Sequence, residues 1–222
     1  MYCFITSATL MPSSFEKAIM DNDHKHVKRE LDQRQPVPAN SANAGLQTGL
    51  MIACQHSSVQ TVKVFLEKST PVKHDDPSLC NVNLVDASGW TALHYAAKSG
   101  SLECVKLLIE HTADINAITN ENETALFMAT KHNHLNVVKL LATSNCQLQT
   151  KAGSGKITAL ELAVTENLVE IATCLLFHLT RTKELHKEEL NPLLVKAAEK
   201  GHTNIANELL INGANVNNHE GT

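Results

Sequence analysis

The residues of this chain best suited to chemistry are twelve histidines and six cysteines, and their spacing decides what they can do. The closest histidine pairs are His24-x-His26 and His132-x-His134. Neither belongs to an H-E-x-x-H motif or to a Cys/His zinc pattern, so no metal site is expected. Cys3, Cys54, Cys80, Cys104, Cys146 and Cys174 are far apart and form no C-x-x-C pair. Such spacing reads as reduced thiols in an intracellular compartment instead of a disulfide framework. The segment Gly153-Ser154-Gly155-Lys156-Ile157-Thr158 resembles the end of a phosphate loop. However, Ile157 stands where Ser or Thr must follow the lysine, and Thr150 stands where the earlier glycine belongs. No nucleotide or other cofactor is therefore expected. His94 has no carboxylate or nucleophile recurring beside it in sequence, which leaves it a structural role.

The elements that carry these residues recur. In residues 86–118, Asp86, Ser88 and Gly89 form a turn, Thr91 caps a short apolar helix, and Gly100 breaks it. A second helix then places Val105, Leu107, Leu108 and Ile109 on one face. A shift of 33 positions turns Thr91-Ala92-Leu93 into Thr124-Ala125-Leu126 and Val105 into Val138. Thr recurs as a cap at 48, 91, 124 and 158, followed by breakers at Ser57, Gly100, Asn133 and Asn167.

This period of two helices and a turn, with Thr91-Ala92-Leu93-His94-Tyr95-Ala96 standing for T-P-L-H-x-A, resembles the ankyrin repeat. The resemblance implies an all-α solenoid of about six helix-turn-helix units joined by short hairpin-like turns. Residues 1–12 read as a flexible lead-in and 13–218 as the repeat domain, with units near 13–40, 41–83, 84–116, 117–149, 150–187 and 188–218. The first unit is expected to start with Ser13 as helix cap and Glu16 completing a capping box. Its charged second helix gives it the polar outer face of a terminal repeat. The second unit carries an insertion over 71–79. The charged stretch between Phe177 and Leu190 extends the fifth unit or forms a surface helix, and Asn191-Pro192-Leu193-Leu194 opens the sixth. Asn116 and Asn217 close their units at a position that is sometimes hydroxylated in the family.

Composition agrees with thin layers of short helices: 43% of residues are hydrophobic and only 4% aromatic. The net charge is −4, without a dense Lys/Arg patch, which argues against nucleic acid as the main partner. No apolar run is long enough to span a membrane. The resemblance implies a protein that binds another protein through the concave face of the stack, without catalysis. It would be monomeric by itself and located in the cytoplasm, with the nucleus as the alternative. A second reading makes it the targeting or regulatory part of a larger enzyme complex, a ligase adaptor or a kinase-associated subunit. Third comes a metal- or nucleotide-dependent enzyme using the histidine-rich turns or the Gly153 loop. By register the partner-binding positions are Gln47, Gln55 and His56, then Ala87, Ser88, Trp90, Lys98 and Ser99. Asn120, Glu121, Glu123, Lys131 and His132 follow, then Ser154, Lys156, Thr165 and Glu166. Trp90 stands out as the sole tryptophan, directly before a Thr cap. Tryptophan is enriched at binding hot spots, and the competing role for it is to cover the adjacent hairpin.

Overall fold

A computed structural model of the chain describes residues 10–33, 38–68, 80–144, 146–153, 155–182 and 187–215. Among these residues the structure is helical, with isolated bridges at the turns and twelve helices in six pairs. The pairs are α1 (Ser13–Met20) with α2 (His24–Leu31), α3 (Gly49–Gln55) with α4 (Val59–Glu67), and α5 (Ala92–Ser99) with α6 (Leu102–Glu110). They continue with α7 (Ala125–Lys131) and α8 (Leu135–Thr143), α9 (Ala159–Thr165) and α10 (Val169–Thr182), then α11 (Lys187–Glu199) and α12 (Thr203–Ile211). The first helices pack on one another in one layer, α1 through α11, and the second helices in another, α2 through α12.

Each pair forms because the sequence supplies a start, a corner and an apolar seam. The hydroxyls of Thr48, Thr124 and Thr158 accept N–H bonds from Met51, Phe127 and Glu161, satisfying donors that the helix leaves open. At the corners Asn22, Ser57, Gly100, Asn133, Asn167 and Gly201 all adopt left-handed backbone, with φ between 55° and 73°. Small or side-chain-bonding residues accept that conformation at least cost. The seam is aliphatic: Leu50, Ala53, Leu93, Ala96, Leu126, Ala129, Leu160 and Ala163 are all buried. Phe15 and Phe65 meet edge to face at 6.2 Å where the first two units join.

Side chains also stitch the third, fourth and sixth units to the ones before them. Ser99 Oγ donates to the Cys54 carbonyl, His134 Nε2 to that of Lys98, and His202 Nδ1 to that of Val164. Each acceptor is a last-turn carbonyl of a first helix, a group with no partner inside its own helix. At the unit ends, the Oδ1 atoms of Asn40, Asn83 and Asn116 accept the backbone N–H of Asn81, Asp114 and Gln147, each at 2.8 Å. The closing asparagine is thus an inter-unit clasp. Asn217 lies outside the described residues.

Two starts differ from the sequence reading. Pro12 precedes α1 and Ser13 is its first residue, with no side-chain cap. Glu16 instead accepts from Asn43 Nδ2 at 3.0 Å, so the second unit's hairpin claims the carboxylate that a capping box would use. α11 begins at Lys187, and Pro192 sits inside it instead of opening it. Glu189 falls in its first turn, where the helix dipole favours negative charge. The charged stretch before it belongs in part to α10, which runs on to Thr182. Met11, assigned to the lead-in by sequence, is buried, and its N–H donates to the Ala42 carbonyl at 2.8 Å. Residues 1–9, the 71–79 insertion and Ser154 lie outside the described residues.

Candidate interaction cleft

The hairpins that precede the first helices are built by one polar side chain each. Asn43 Oδ1 accepts the N–H groups of Gly45 and Gln47, Asp86 Oδ1 those of Ser88 and Trp90, and Thr119 Oγ1 those of Glu121 and Glu123. Asp86 and Thr119 stand 33 residues apart, so the repeat preserves the acceptor while changing its chemistry. Adjacent fingertips are joined through the backbone: Asn120 N–H donates to Ser88 O, and Gly153 N–H to Glu121 O, both at 3.0 Å. Gly89 makes the first junction possible. Its φ is +77°, and a Cβ there would lie 2.9 Å from the Asn120 nitrogen.

Between the third and fourth hairpins and the ends of α5 and α7 lies a cleft of about 530 Å³. Trp90 supplies its exposed apolar surface, with the buried Met128 beneath; Ala87, Ser88, Asn120 and Glu121 come from the fingertips, and Lys98, Glu123, Lys131 and His132 complete it. Trp90 is half-buried against Tyr95, at 5.0 Å between ring centroids, and His94, at 6.2 Å. Its backbone is held by Asp86 through bonds in both directions. Tyr95 in turn donates its hydroxyl to Asp86 Oδ2 at 2.6 Å and accepts from Gln47 Nε2. Burial and the Asp86 carboxylate hold the Tyr95 phenol protonated, well above the usual tyrosine range. Lys98 Nζ lies 5.0 Å from the centre of the Trp90 ring, in cation–π range. Lys131 Nζ donates to Glu123 Oε1 at 3.0 Å, and the glutamate side chain is 5% exposed. Burial, with Lys98, His134 and Lys131 nearby, depresses the pKa of His132.

The residues that suggested chemistry are consumed by the fold. His94 is fully buried. Its Nδ1 accepts from the Thr91 N–H at 3.1 Å and lies 2.9 Å from the Thr91 hydroxyl, which fixes the proton on Nε2. Nε2 then donates toward the carbonyls of Ala117 and Glu123, both at 3.1 Å. Burial pulls its pKa down to about 4, so the ring is neutral at pH 7. Cys54 and Cys104 share a thiol–thiol hydrogen bond that draws Cys104 down to about 7, while burial pushes Cys54 up. Both are 0% exposed, which keeps either thiolate from a substrate. In the Gly153 turn, Ala152 and Ile157 bond each other in both directions, and the Lys156 N–H donates to Gly153 O. Among the described residues no three His, Cys, Asp or Glu side chains gather as a metal site would require.

Residues 15–119, 51–152 and 113–183 each match the pattern described as ankyrin repeats (3 copies), and residues 189–220 match the single ankyrin repeat. The chain belongs to the ankyrin-repeat family. Similar proteins include an ankyrin repeat and KH domain-containing protein of Caenorhabditis briggsae, 27% identical over 81% of this chain. A tyrosine-protein kinase of Hydra vulgaris is 34% identical over 39% of the chain, and a B-cell lymphoma 3 protein homolog of Mus musculus 35% identical over 32%. The matched stretches span 6%, 11% and 15% of those proteins' own lengths.

Of the positions read from the register of this ankyrin array, Ala87, Ser88, Trp90, Lys98, Asn120, Glu121, Glu123, Lys131 and His132 meet around the one cleft. Gln47, Gln55, His56, Ser99, Lys156, Thr165 and Glu166 do not line it. Three positions assumed free of packing duty have one: Gln47 braces Tyr95, Ser99 caps α3, and the buried Glu123 anchors Lys131. Trp90 both covers its hairpin and lines the cleft. Met128 escaped the sequence reading because it reads as core. It stands 33 residues after Tyr95, which does not line the cleft, so the register gives no signal for it.

Proposed function

We propose that this ankyrin array binds a partner protein through its concave face, centred on the Trp90 cleft, and performs no chemistry of its own. The observation that carries this reading is the cleft itself. It brings a half-buried tryptophan, a cation and an ion pair between a half-exposed lysine and a buried glutamate to one place on a scaffold stitched by inter-unit hydrogen bonds. A preorganised surface loses little conformational entropy on association. The engaged nitrogens of His94 and the closed Gly153 turn support the non-catalytic part of the reading. Among the described residues no helix is long and apolar enough to cross a membrane. Among the described residues Cys54, Cys80, Cys104, Cys146 and Cys174 are reduced, which suits a reducing compartment such as the cytoplasm.

A second reading, that the array targets or regulates a larger enzyme, draws support from its similarity to a stretch of a tyrosine-protein kinase. Both readings use the same surface. The test is affinity capture from cell lysate with the wild type and a Trp90→Ala, Lys131→Ala double variant of matched thermal stability. Proteins held by the wild type and lost by the variant support the concave face, and their identity separates the two readings. Equal retention by both chains would sink the assignment to this cleft.

A further inference from the structure

We infer that the Trp90 cleft takes an acidic peptide segment, in which an apolar side chain rests on Trp90 while a neighbouring Asp or Glu pairs with Lys98. This rests on the concave-face reading and adds the chemistry of the partner. The cleft is large enough for one or two side chains, and small-molecule-sized pockets run from about 300 to 1,000 Å³. Its charges are not equivalent. Glu123 is 5% exposed and already holds Lys131, so that carboxylate is neutralised and turned inward. Lys98 is exposed, stands over the indole, and has no carboxylate partner among the described residues. The Trp90 indole N–H likewise has no acceptor there. A cation and a donor are thus left unsatisfied beside an apolar surface.

His132 adds no cation, because burial, with Lys98, His134 and Lys131 nearby, disfavours its charged form. Lys131 is paired with Glu123, so Lys98 is the cation of the lining left without a carboxylate, and Glu121 is the exposed acid that opposes it. A basic segment would find only Glu121 and would press its charge against Lys98. A phosphate dianion is matched best by clustered or bidentate arginines, and the cleft lining contains none. A single carboxylate is the charge that one lysine and one indole N–H satisfy. Such rim pairs act on association rate and specificity, and they weaken with salt.

Trp90 makes the test direct, because it is the only tryptophan and its emission reports the cleft alone. Random dodecapeptides displayed on phage would be panned against the whole chain, and the enriched peptides synthesised and titrated by Trp90 fluorescence. The expected pool is rich in Asp or Glu beside an apolar residue, and its peptides shift Trp90 emission saturably. Lys98→Glu, at an exposed position and checked by thermal melting, should weaken them about tenfold or more. Replacing the peptide's acids by lysine should restore binding to that variant. Pools rich in Lys or Arg, pools without charge bias, or acidic peptides indifferent to Lys98→Glu would overturn the inference. If such peptides still shift Trp90 emission, the concave face stands and only the acidic chemistry fails. Peptides that bind without moving Trp90 emission count against both.

Discussion

At the scale of the residue, His94 shows how a group with catalytic potential becomes a strut. Its folded pKa of about 4 lies below the ordinary 6.5 of an unfolded chain. Between those values the unfolded state binds more protons, so stability rises with pH and is lost as pH falls from 6.5 toward 4. The full effect is on the order of 3 kcal/mol. Urea midpoints of the wild type should therefore fall between pH 7 and pH 4.5 more steeply than those of His94→Gln. Parallel curves would show that the imidazole carries no such linkage. The role of this histidine was legible because Thr91 and His94 stand in a known motif. That of Trp90 was only half legible, since its contacts with Tyr95 and Lys98 depend on side-chain directions that spacing does not give. Met128 was not legible as a cleft residue, because its place beneath the cleft depends on hairpins elsewhere in the chain.

Among the elements, α3 carries an exception with a measurable consequence. Where the other capped first helices begin with Ala92, Ala125 or Ala159, α3 begins with Gly49. By helix propensity alone, Gly49→Ala should stabilise the protein. The structure reverses that expectation: a Cβ at Gly49 would lie 2.4 Å from Phe65 Cζ and 3.0 Å from Ile19 Cδ1. Phe65 and Ile19 are both fully buried, so neither ring nor methyl has room to retreat. Gly49→Ala is expected to cost about 1–3 kcal/mol in denaturant unfolding. A gain in stability would mean that the junction of the first two units repacks freely. Helix positions and corners were readable from caps and breakers that recur in register. The starts of α1 and α11 were not, because each turns on a competitor outside the motif: Asn43 for Glu16, and the acidic run before Pro192.

For the whole molecule, the two helical layers make stability a nearest-neighbour property. Units inside the stack are held on two sides and those at the ends on one. Amide exchange should therefore be slowest in α5 and α7 and fastest in α1, α2 and α12. Uniform protection along the stack would contradict a nearest-neighbour array. The same architecture has a direction. Ser99, His134 and His202 each reach backward, finishing a helix that precedes them in the chain. Synthesis on the ribosome delivers the N-terminal end first. The carbonyls of Lys98 and Val164 therefore emerge open and are closed when His134 and His202 arrive, while that of Cys54, already bonded by the Ser57 N–H, gains a second donor from Ser99. At these three junctions the nascent chain grows like a zip whose new tooth locks the one behind it.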